Sequence, residues 1–360
     1  MPPIPKPDPL GMPIPVAYLF VLKVFGFFLH MLFMHMWLAG LPVAVALWRF
    51  RPRVAERLIA AMPFAMAFGI NAGIVPLLFL QTLYPQFFYP ATILQAWFWF
   101  LVIPLLLAAY TAVYLAAFGR WRVLTSLAAA ILLTGIGLQF SAAMALTAAP
   151  DRWPGLFRRT AVGGAVHGFA LALDLEAVLR LGLMAGMAMG TVAAFLAAQS
   201  AFHARDPIRD QIRPLVPLLY GIGLLVFGIA GLRYGPMVAG RLPGALAALA
   251  GGSMPVAFLG ALAYARRPGR ASATALALLH LGVLLANAVA RQVVQAAELA
   301  RWVDREALPV RGEWGSVALF LAMLALGIGV LAWILRTAWV RTRPGPNEGG
   351  GSPGISAGPG

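Results

Sequence analysis

Three histidines lie inside long apolar stretches of the sequence, where a titratable ring needs a partner. His30 and His35 belong to the segment FFLHMLFMHMWLAG, and His280 lies in LALLHLGVLLANAVA. Imidazole nitrogen is a common axial ligand of haem iron, and a polar side chain within a membrane-spanning segment is costly unless it is paired or functional. The three rings are therefore candidate ligands of one or two b-type haems.

The spacing of the histidines limits how they can act. Five residues on a helix turn the side chain by about 140°, so His30 and His35 cannot hold one haem from opposite sides. Counted from the outer ends of their helices, His35 lies about 28 Å deep and His280 about 31 Å deep, which makes them a level pair. His30 lies about 21 Å deep, where Met187 or Met189 could serve as its axial partner, or the haem could be five-coordinate.

Two arginines occupy the outer half of the same predicted membrane. Arg291 lies about 15 Å below the outer end of its helix and Arg180 about 8 Å below the outer end of another. Glu176, four residues before Arg180, can pair with it. Arg291 has no such neighbour, so it should meet an anionic or carbonyl group, such as a haem propionate, a lipid headgroup or a quinone near Gln292. The alternative is that both arginines extend toward the outer surface.

The same polar residues also allow a purely structural interpretation. A histidine within a span can serve as a hydrogen-bonding group between helices, and glycines four residues apart usually serve close helix packing. His167 and His203 fall outside the predicted hydrocarbon region and are expected to be solvated. The small residues that would leave room for a flat ring are Ala39, Gly40, Gly182, Gly186, Gly190 and Gly282.

These residues must be positioned by membrane helices. The chain has 360 residues, of which 61% are hydrophobic and 11% charged, which is not the composition of a soluble protein. Because an unclosed sheet cannot satisfy its backbone in lipid, each long apolar segment should be a helix and the fold all-α and polytopic. Nine segments are long enough to span: 16 to 49, 58 to 84, 92 to 118, 123 to 149, 175 to 203, 213 to 235, 242 to 265, 271 to 301 and 315 to 340.

Basic residues predict the orientation of these spans. Alternate connections hold fifteen Lys and Arg residues against four acids, whereas the other connections hold nine against eight. The positive-inside rule therefore predicts a protein of the bacterial inner membrane, with its N-terminus outside and its C-terminus in the cytoplasm. The net charge of +15 is thus a topology signal, and we expect no nucleic-acid partner. The absence of cysteine excludes disulfides, iron–sulfur clusters and covalently attached haem.

The lengths of the connections indicate how the chain is organised. A Pro-rich N-terminus, 1–15, should precede a first four-helix unit, 16–149. An outer loop, 150–174, then leads to a second four-helix unit, 175–301. The ninth helix, 302–343, should end in a disordered cytoplasmic tail, 344–360, rich in Gly, Pro and Ser. The outer loop is long enough for an extracytoplasmic partner to dock on it.

Four segments together resemble a known family. LHMLFMHMWLAG is similar to the first-helix histidine segment of cytochrome bd quinol oxidase subunit I, and more closely to that of the bd-like membrane subunits found beside multihaem c-type cytochromes, which do not reduce oxygen. The stretch from FGIN to WFWF at 68–100, SAAMALTAAPDRW at 141–153 and NAVARQVVQ at 287–295 resemble further parts of these relatives. The four segments follow the family's order and its N-out topology.

The resemblance carries specific expectations for function. His30 matches the first-helix haem ligand, but Arg180 falls in the segment where the family has its fifth-helix haem histidine. Gln81 and Gln95 stand near the positions of the oxidase's carboxylates, and an amide cannot relay protons as an acid, so oxygen reduction is not expected. The resemblance implies a subunit of a quinol-linked oxidoreductase that moves electrons between the quinone pool and an extracytoplasmic partner such as a c-type cytochrome.

Two other functions remain compatible with the sequence. The protein could be a cofactor-free anchor or assembly subunit of a respiratory complex, in which the histidines are packing residues. It could also be a transporter with helices broken at Pro42, Pro76 and Pro104, although no inverted repeat is visible and no carboxylate lies deep in a predicted span.

Overall fold

The structure is a computed structural model that describes residues 4–119, 121–167, 174–202 and 207–341. His203 and the tail 344–360 lie outside the described residues. The helices are α1 (Val16–Leu47), α2 (Pro52–Leu83), α3 (Pro85–Leu94), α4 (Trp97–Phe100), α5 (Val102–Phe118), α6 (Arg122–Ala148), α7 (Trp153–Thr160), α8 (Leu175–Phe202), α9 (Arg209–Val238), α10 (Gly244–Arg266), α11 (Arg270–Leu299) and α12 (Trp314–Arg341).

The predicted all-α membrane fold is confirmed. Within the described ranges, eight helical stretches are long and apolar enough to cross a membrane, with α4 and α5 forming one of them. The ninth predicted span, 315 to 340, corresponds to α12. The strands in the described chain are the two-residue β1 (Ala161–Val162) and β2 (Ala165–Val166), which pair as an antiparallel hairpin. The long apolar runs form helices because a helix satisfies its own backbone in lipid.

The third predicted span differs most from its expected form. Its helix is interrupted after α3, and Ala96 adopts a positive φ of 47° that a residue with a side chain rarely accepts. Gln139 of α6 donates through Nε2 to the carbonyl of Phe98 at 2.8 Å, and Gln95 donates to the carbonyl of Gln139 at 3.4 Å. The side-chain amide of Gln139, on α6, therefore satisfies one backbone carbonyl of the interrupted segment.

One end of the bundle is held by arginine side chains, and we call it the Arg51 end. Arg51 donates to the carbonyl of Gln211, which connects the α1–α2 turn to the start of α9. Arg213 donates through Nε to the carbonyl of Ala265 at 2.6 Å, which connects α9 to the end of α10. The α1–α2 turn, the start of α9 and the end of α10 thus lie at a common end of the bundle.

The opposite end, which we call the Tyr84 end, has a hydrophobic cluster of its own. Met12, Tyr84, Phe87, Trp153 and Leu299 are buried in it. The backbone of Met12 pairs with the loop before α12, donating to the carbonyl of Pro309 at 2.8 Å. The N-terminal segment is therefore packed against the loop that follows α11.

A single hydrophobic core connects the two predicted four-helix units. Helices pair along the sequence, α1 with α2, α5 with α6, α8 with α9 and α10 with α11, but α1 also packs against α8 and α11. Buried residues from both units belong to one cluster. The two units are consequently halves of one bundle around α1 and α8.

Close contact between α8 and α9 depends on glycine. A methyl group added at Gly186 would lie 2.6 Å from the carbonyl oxygen of Gly223 and 2.7 Å from the backbone nitrogen of Phe227. We expect Gly186→Ala to lower the free energy of unfolding by about 1–3 kcal/mol, because two backbones must separate. The measurement is denaturant unfolding of the purified protein in detergent.

Gly282 of α11 provides the matched control for this prediction. A methyl group there would meet no atom within 4 Å, so Gly282→Ala should be neutral or slightly stabilising. Equal stabilities of the Gly186→Ala and Gly282→Ala proteins would contradict the predicted role of Gly186 in helix packing.

Candidate functional site

Four buried side chains form a hydrogen-bonded series, which we call the histidine chain, across the bundle near the middle of its helices. His35 of α1 lies with Nδ1 3.3 Å from the hydroxyl of Thr191 on α8. The same hydroxyl lies 2.8 Å from Nε2 of His280 on α11. Nδ1 of His280 lies 2.8 Å from the hydroxyl of Tyr220 on α9. Because each member comes from a different helix, the chain joins both halves of the bundle.

The proton of the Thr191 hydroxyl fixes the direction of these hydrogen bonds, because Thr191 donates to the carbonyl of Met187 at 3.1 Å. A neutral imidazole has one N–H donor and one acceptor nitrogen, and each hydroxyl can donate or accept. Thr191 therefore accepts from both histidine rings, so His280 donates from Nε2 to Thr191 and accepts at Nδ1 from Tyr220. Both nitrogens of His280 have hydrogen-bond partners. Nε2 of His35 is buried and has no hydrogen-bond partner among the described residues.

His35 and His280, which were predicted to lie at the same depth, are on either side of the Thr191 hydroxyl. The threonine hydroxyl lies between the two rings, in the space that a macrocycle would need, within 3.3 Å of a nitrogen on each. The His280 ring also packs on α8, where a methyl group added at Gly190 would lie 2.7 Å from its Cε1. The residues as placed do not fit a haem held between His35 and His280.

His30 has different surroundings. Its Nδ1 lies 2.8 Å from the carbonyl oxygen of Gly69 on α2, and the ring rests on Gly73, where an added methyl group would lie 2.8 Å from Nδ1. A carbonyl can only accept, so Nδ1 carries the proton and the neutral ring keeps its lone pair on Nε2. Histidines that bind metal usually donate their other N–H to such an acceptor. His30 therefore fits the role of an axial ligand.

The two methionines considered as partners of His30 lie on α8. Met187 is buried in the core at 3% exposure, and its carbonyl accepts a hydrogen bond from Thr191 at 3.1 Å. The Cβ of Met189 lies 2.9 Å from where a methyl group on Gly223 of α9 would stand. The hydrogen bond of His30 and its close contact at Gly73 are both on α2, and its pairing with either methionine stays a prediction.

Charged side chains form an ion-pair network at the Tyr84 end. Arg180 and Glu176 lie 3.0 Å apart, which is the pair that their spacing predicted. Arg241, from the loop between α9 and α10, reaches Glu176 at 3.6 Å and Glu298 at 2.5 Å. Glu298 is only 3% exposed, so this network connects α8 to α11 in a largely buried environment.

Arg291 and Gln292 lie beside this network. Arg291 has no acidic residue within a turn of its own position, but it is within electrostatic range of Glu298 and Glu176. The protein therefore supplies part of the negative charge that Arg291 needs. Its Nη1 is buried without a hydrogen-bond partner, and so is Oε1 of Gln292, among the residues that the structure describes. Each of these two buried atoms can make one further hydrogen bond.

Sequence reasoning did not assign a role to several residues that the structure places at these sites. Thr191 and Tyr220 complete the histidine chain, but a hydroxyl in an apolar helix is common and carries no spacing signal. Arg241 lies in a loop, where its pairing with Glu298 could not be anticipated. Lys23 lies within a predicted span and therefore needs a specific partner, but the sequence does not identify that partner.

The hydroxyl of Tyr220 should contribute to stability. Tyr220→Phe leaves Nδ1 of His280 buried without a partner, so the free energy of unfolding should fall by about 1–3 kcal/mol. Tyr114→Phe is the matched control, because the Tyr114 hydroxyl bonds to Tyr110 at 3.2 Å on an exposed face, and its removal should cost less than about 0.5 kcal/mol. Unfolding of both variants in detergent tests this, and a Tyr220→Phe protein as stable as the control would contradict it.

The fold and these sites define a polytopic helical membrane protein with buried polar side chains that connect its helices. No family model matches the sequence, and no curated protein is similar to it. Its function must therefore be argued from its own residues.

Proposed function

We propose that the protein is the membrane subunit of a respiratory complex, that it binds one b-type haem through His30, and that it exchanges electrons with the quinone pool. The observation that carries the proposal is the hydrogen bond from Nδ1 of His30 to the Gly69 carbonyl, which leaves Nε2 available to iron. The resemblance of the first helix to bd-like subunits supports the same residue. When bound, the haem supplies one-electron redox chemistry.

The protein's own residues set the conditions for that chemistry. The Gly69 carbonyl fixes the ring orientation and the tautomer of His30, and the missing side chain at Gly73 lets the ring approach α2 closely. Arg291 can donate through its free Nη1 to a quinone carbonyl, and Gln292 can accept from a quinol hydroxyl. Quinone therefore has a binding position at the Tyr84 end.

The proposed orientation assigns a partner to the Tyr84 end. The positive-inside rule places the Arg51 end in the cytoplasm and the Tyr84 end outside the inner membrane. An ion pair of 2.7 Å between Arg152 and Asp174 closes the outer loop at its base. Arg158 and Arg159 are exposed on α7 within this loop. They offer a docking surface to an extracytoplasmic c-type cytochrome with an acidic face.

An optical spectrum of the purified full-length protein tests this function. The protein should be expressed in a host supplied with haem and should show a Soret band, and its pyridine haemochrome should be that of haem b. A properly folded protein without any visible absorbance would contradict the proposal.

A second function, a cofactor-free anchor or assembly subunit, is favoured by a different observation. Thr191 and Tyr220 occupy three of the four ring nitrogens of His35 and His280, which is what packing histidines require. A colourless protein that copurifies with the other subunits of a respiratory complex would favour this second function.

A further inference from the structure

Two cations at the Tyr84 end lie against the same tyrosine ring. Nζ of Lys23, on α1, is 5.3 Å from the centre of the Tyr84 ring, and the guanidinium carbon of Arg305, in the loop after α11, is 4.8 Å from it. Lys23 is 3% exposed and Tyr84 is 1% exposed. We call Lys23, Tyr84 and Arg305 the cationic cluster.

The hydrogen bonds of the cationic cluster are incomplete. Lys23 donates to Oε1 of Gln295 at 2.5 Å, and an amide oxygen carries no charge to balance an ammonium. Nη1 of Arg305 and the hydroxyl of Tyr84 are buried without partners in the described chain. Across the described ranges, no ion pair joins Lys23 or Arg305 to a carboxylate.

Neighbouring residues add to the uncompensated positive charge of the cationic cluster. Arg291 and Arg305 are both close enough to Lys23 to repel it electrostatically. Glu298, the buried acid on α11, is already bound by Arg241. A buried cation without a counter-ion is strongly unfavourable, so an anion bound at the cluster would be strongly stabilised.

We propose that the cationic cluster is a binding site for a phosphate group, contributed either by a phospholipid headgroup or by free phosphate. Lys23 and Arg305 supply charged N–H donors, and Tyr84 supplies a neutral O–H donor. Charge-assisted bonds of this kind are the strong ones, and a lysine and an arginine commonly share a phosphate. The site goes beyond the proposed electron transfer and does not depend on haem.

The position of the cluster suits a phosphate of the membrane surface. Tyr84 directly follows the end of α2, and Arg305 lies just after the end of α11, so both are level with the ends of the spans. Burial raises the pKa of Tyr84 to about 12, although the charge of Arg305 partly opposes the shift. The hydroxyl therefore remains a donor at neutral pH.

The test compares ligands on the full-length protein after delipidation in a neutral detergent. The probes are phosphatidylglycerol, inorganic phosphate, and diacylglycerol with the same acyl chains as a lipid without phosphate. The readout is the thermal unfolding midpoint at constant ionic strength. We expect phosphatidylglycerol or inorganic phosphate to raise the midpoint and diacylglycerol to leave it unchanged.

Variants identify the residues that bind the phosphate. Lys23→Gln and Arg305→Gln should each raise the half-saturating ligand concentration by about tenfold to a hundredfold, because each removes one charge-assisted bond. Arg233→Gln removes an exposed charge near the end of α9 and should match the wild type. Should Lys23→Gln not fold, Arg305→Gln tests the site alone, because Arg305 lies in a loop.

The responses to the three probes either support or overturn the proposed phosphate site. A shift with phosphatidylglycerol alone identifies a lipid headgroup, and a shift with inorganic phosphate as well identifies a general phosphate site. If neither probe exceeds diacylglycerol on the wild type, or if the cluster variants respond as the wild type does, the proposal is overturned.

Discussion

Replacing Glu298 by glutamine should lower the free energy of unfolding by about 3–5 kcal/mol, since breaking a buried ion pair leaves its partner uncompensated. Glu298 is 3% exposed and lies 2.5 Å from Nη1 of Arg241. Without this carboxylate, Arg241 keeps a longer ion pair of 3.6 Å with Glu176 and a hydrogen bond of 2.6 Å to the carbonyl of Met237. Arg291 also loses a nearby negative charge. Denaturant unfolding of the purified protein in detergent measures the loss.

An exposed ion pair in the same protein is the matched control. Arg311 and Glu313 lie 3.0 Å apart with side chains 37% and 43% exposed, so Glu313→Gln should change stability by less than about 0.5 kcal/mol. If the Glu298→Gln and Glu313→Gln proteins unfold alike, the network around Arg241 is not what holds α8 to α11.

Replacing His30 by alanine should remove the haem. We expect haem per chain to fall by more than about tenfold, because the only proposed protein ligand is lost, and even outer-shell changes at metal sites reduce affinity by 10–100-fold. His35→Ala and His280→Ala are matched variants from the same membrane interior. They should keep the haem, because both rings lie within hydrogen-bonding distance of the Thr191 hydroxyl, which stands between them.

The three histidine variants must be compared as folded proteins. Circular dichroism and gel filtration exclude misfolding, and His280→Ala should be less stable because it leaves the Tyr220 hydroxyl without its partner. A His30→Ala protein that keeps the full Soret absorbance would disprove the ligand assignment, and loss of haem only in the other two variants would transfer it to His35 and His280.

Most of the helical layout can be predicted because it depends on local sequence. Apolar runs of sufficient length must form helices in lipid, and arginines in alternate connections lie at one end of the bundle, as Arg51 and Arg213 do. The interruption at Ala96 could not be predicted in this way. It depends on Gln139, which comes from the next long helix and satisfies the carbonyl of Phe98.

The candidate site shows the limit of counting along a helix. The rise per residue correctly placed His35 and His280 at the same level, and the structure brings both rings to one hydroxyl. Depth alone does not specify how each helix is rotated or which side chain fills the gap between two rings. The position of Thr191 between the two rings depends on how α8 packs against α1, which the sequence does not specify. The contact of Arg241 with Glu298 likewise depends on the conformation of its loop.

The most direct test of the proposed function is anaerobic addition of a quinol to the oxidised wild-type protein in its native membrane, followed by its optical spectrum. We expect the absorbance bands of a reduced b-type haem to develop, and to be greatly diminished in membranes that contain the His30→Ala protein. A wild-type spectrum without any haem band, or a haem that quinol does not reduce, would contradict the proposal that this protein moves electrons between quinone and haem.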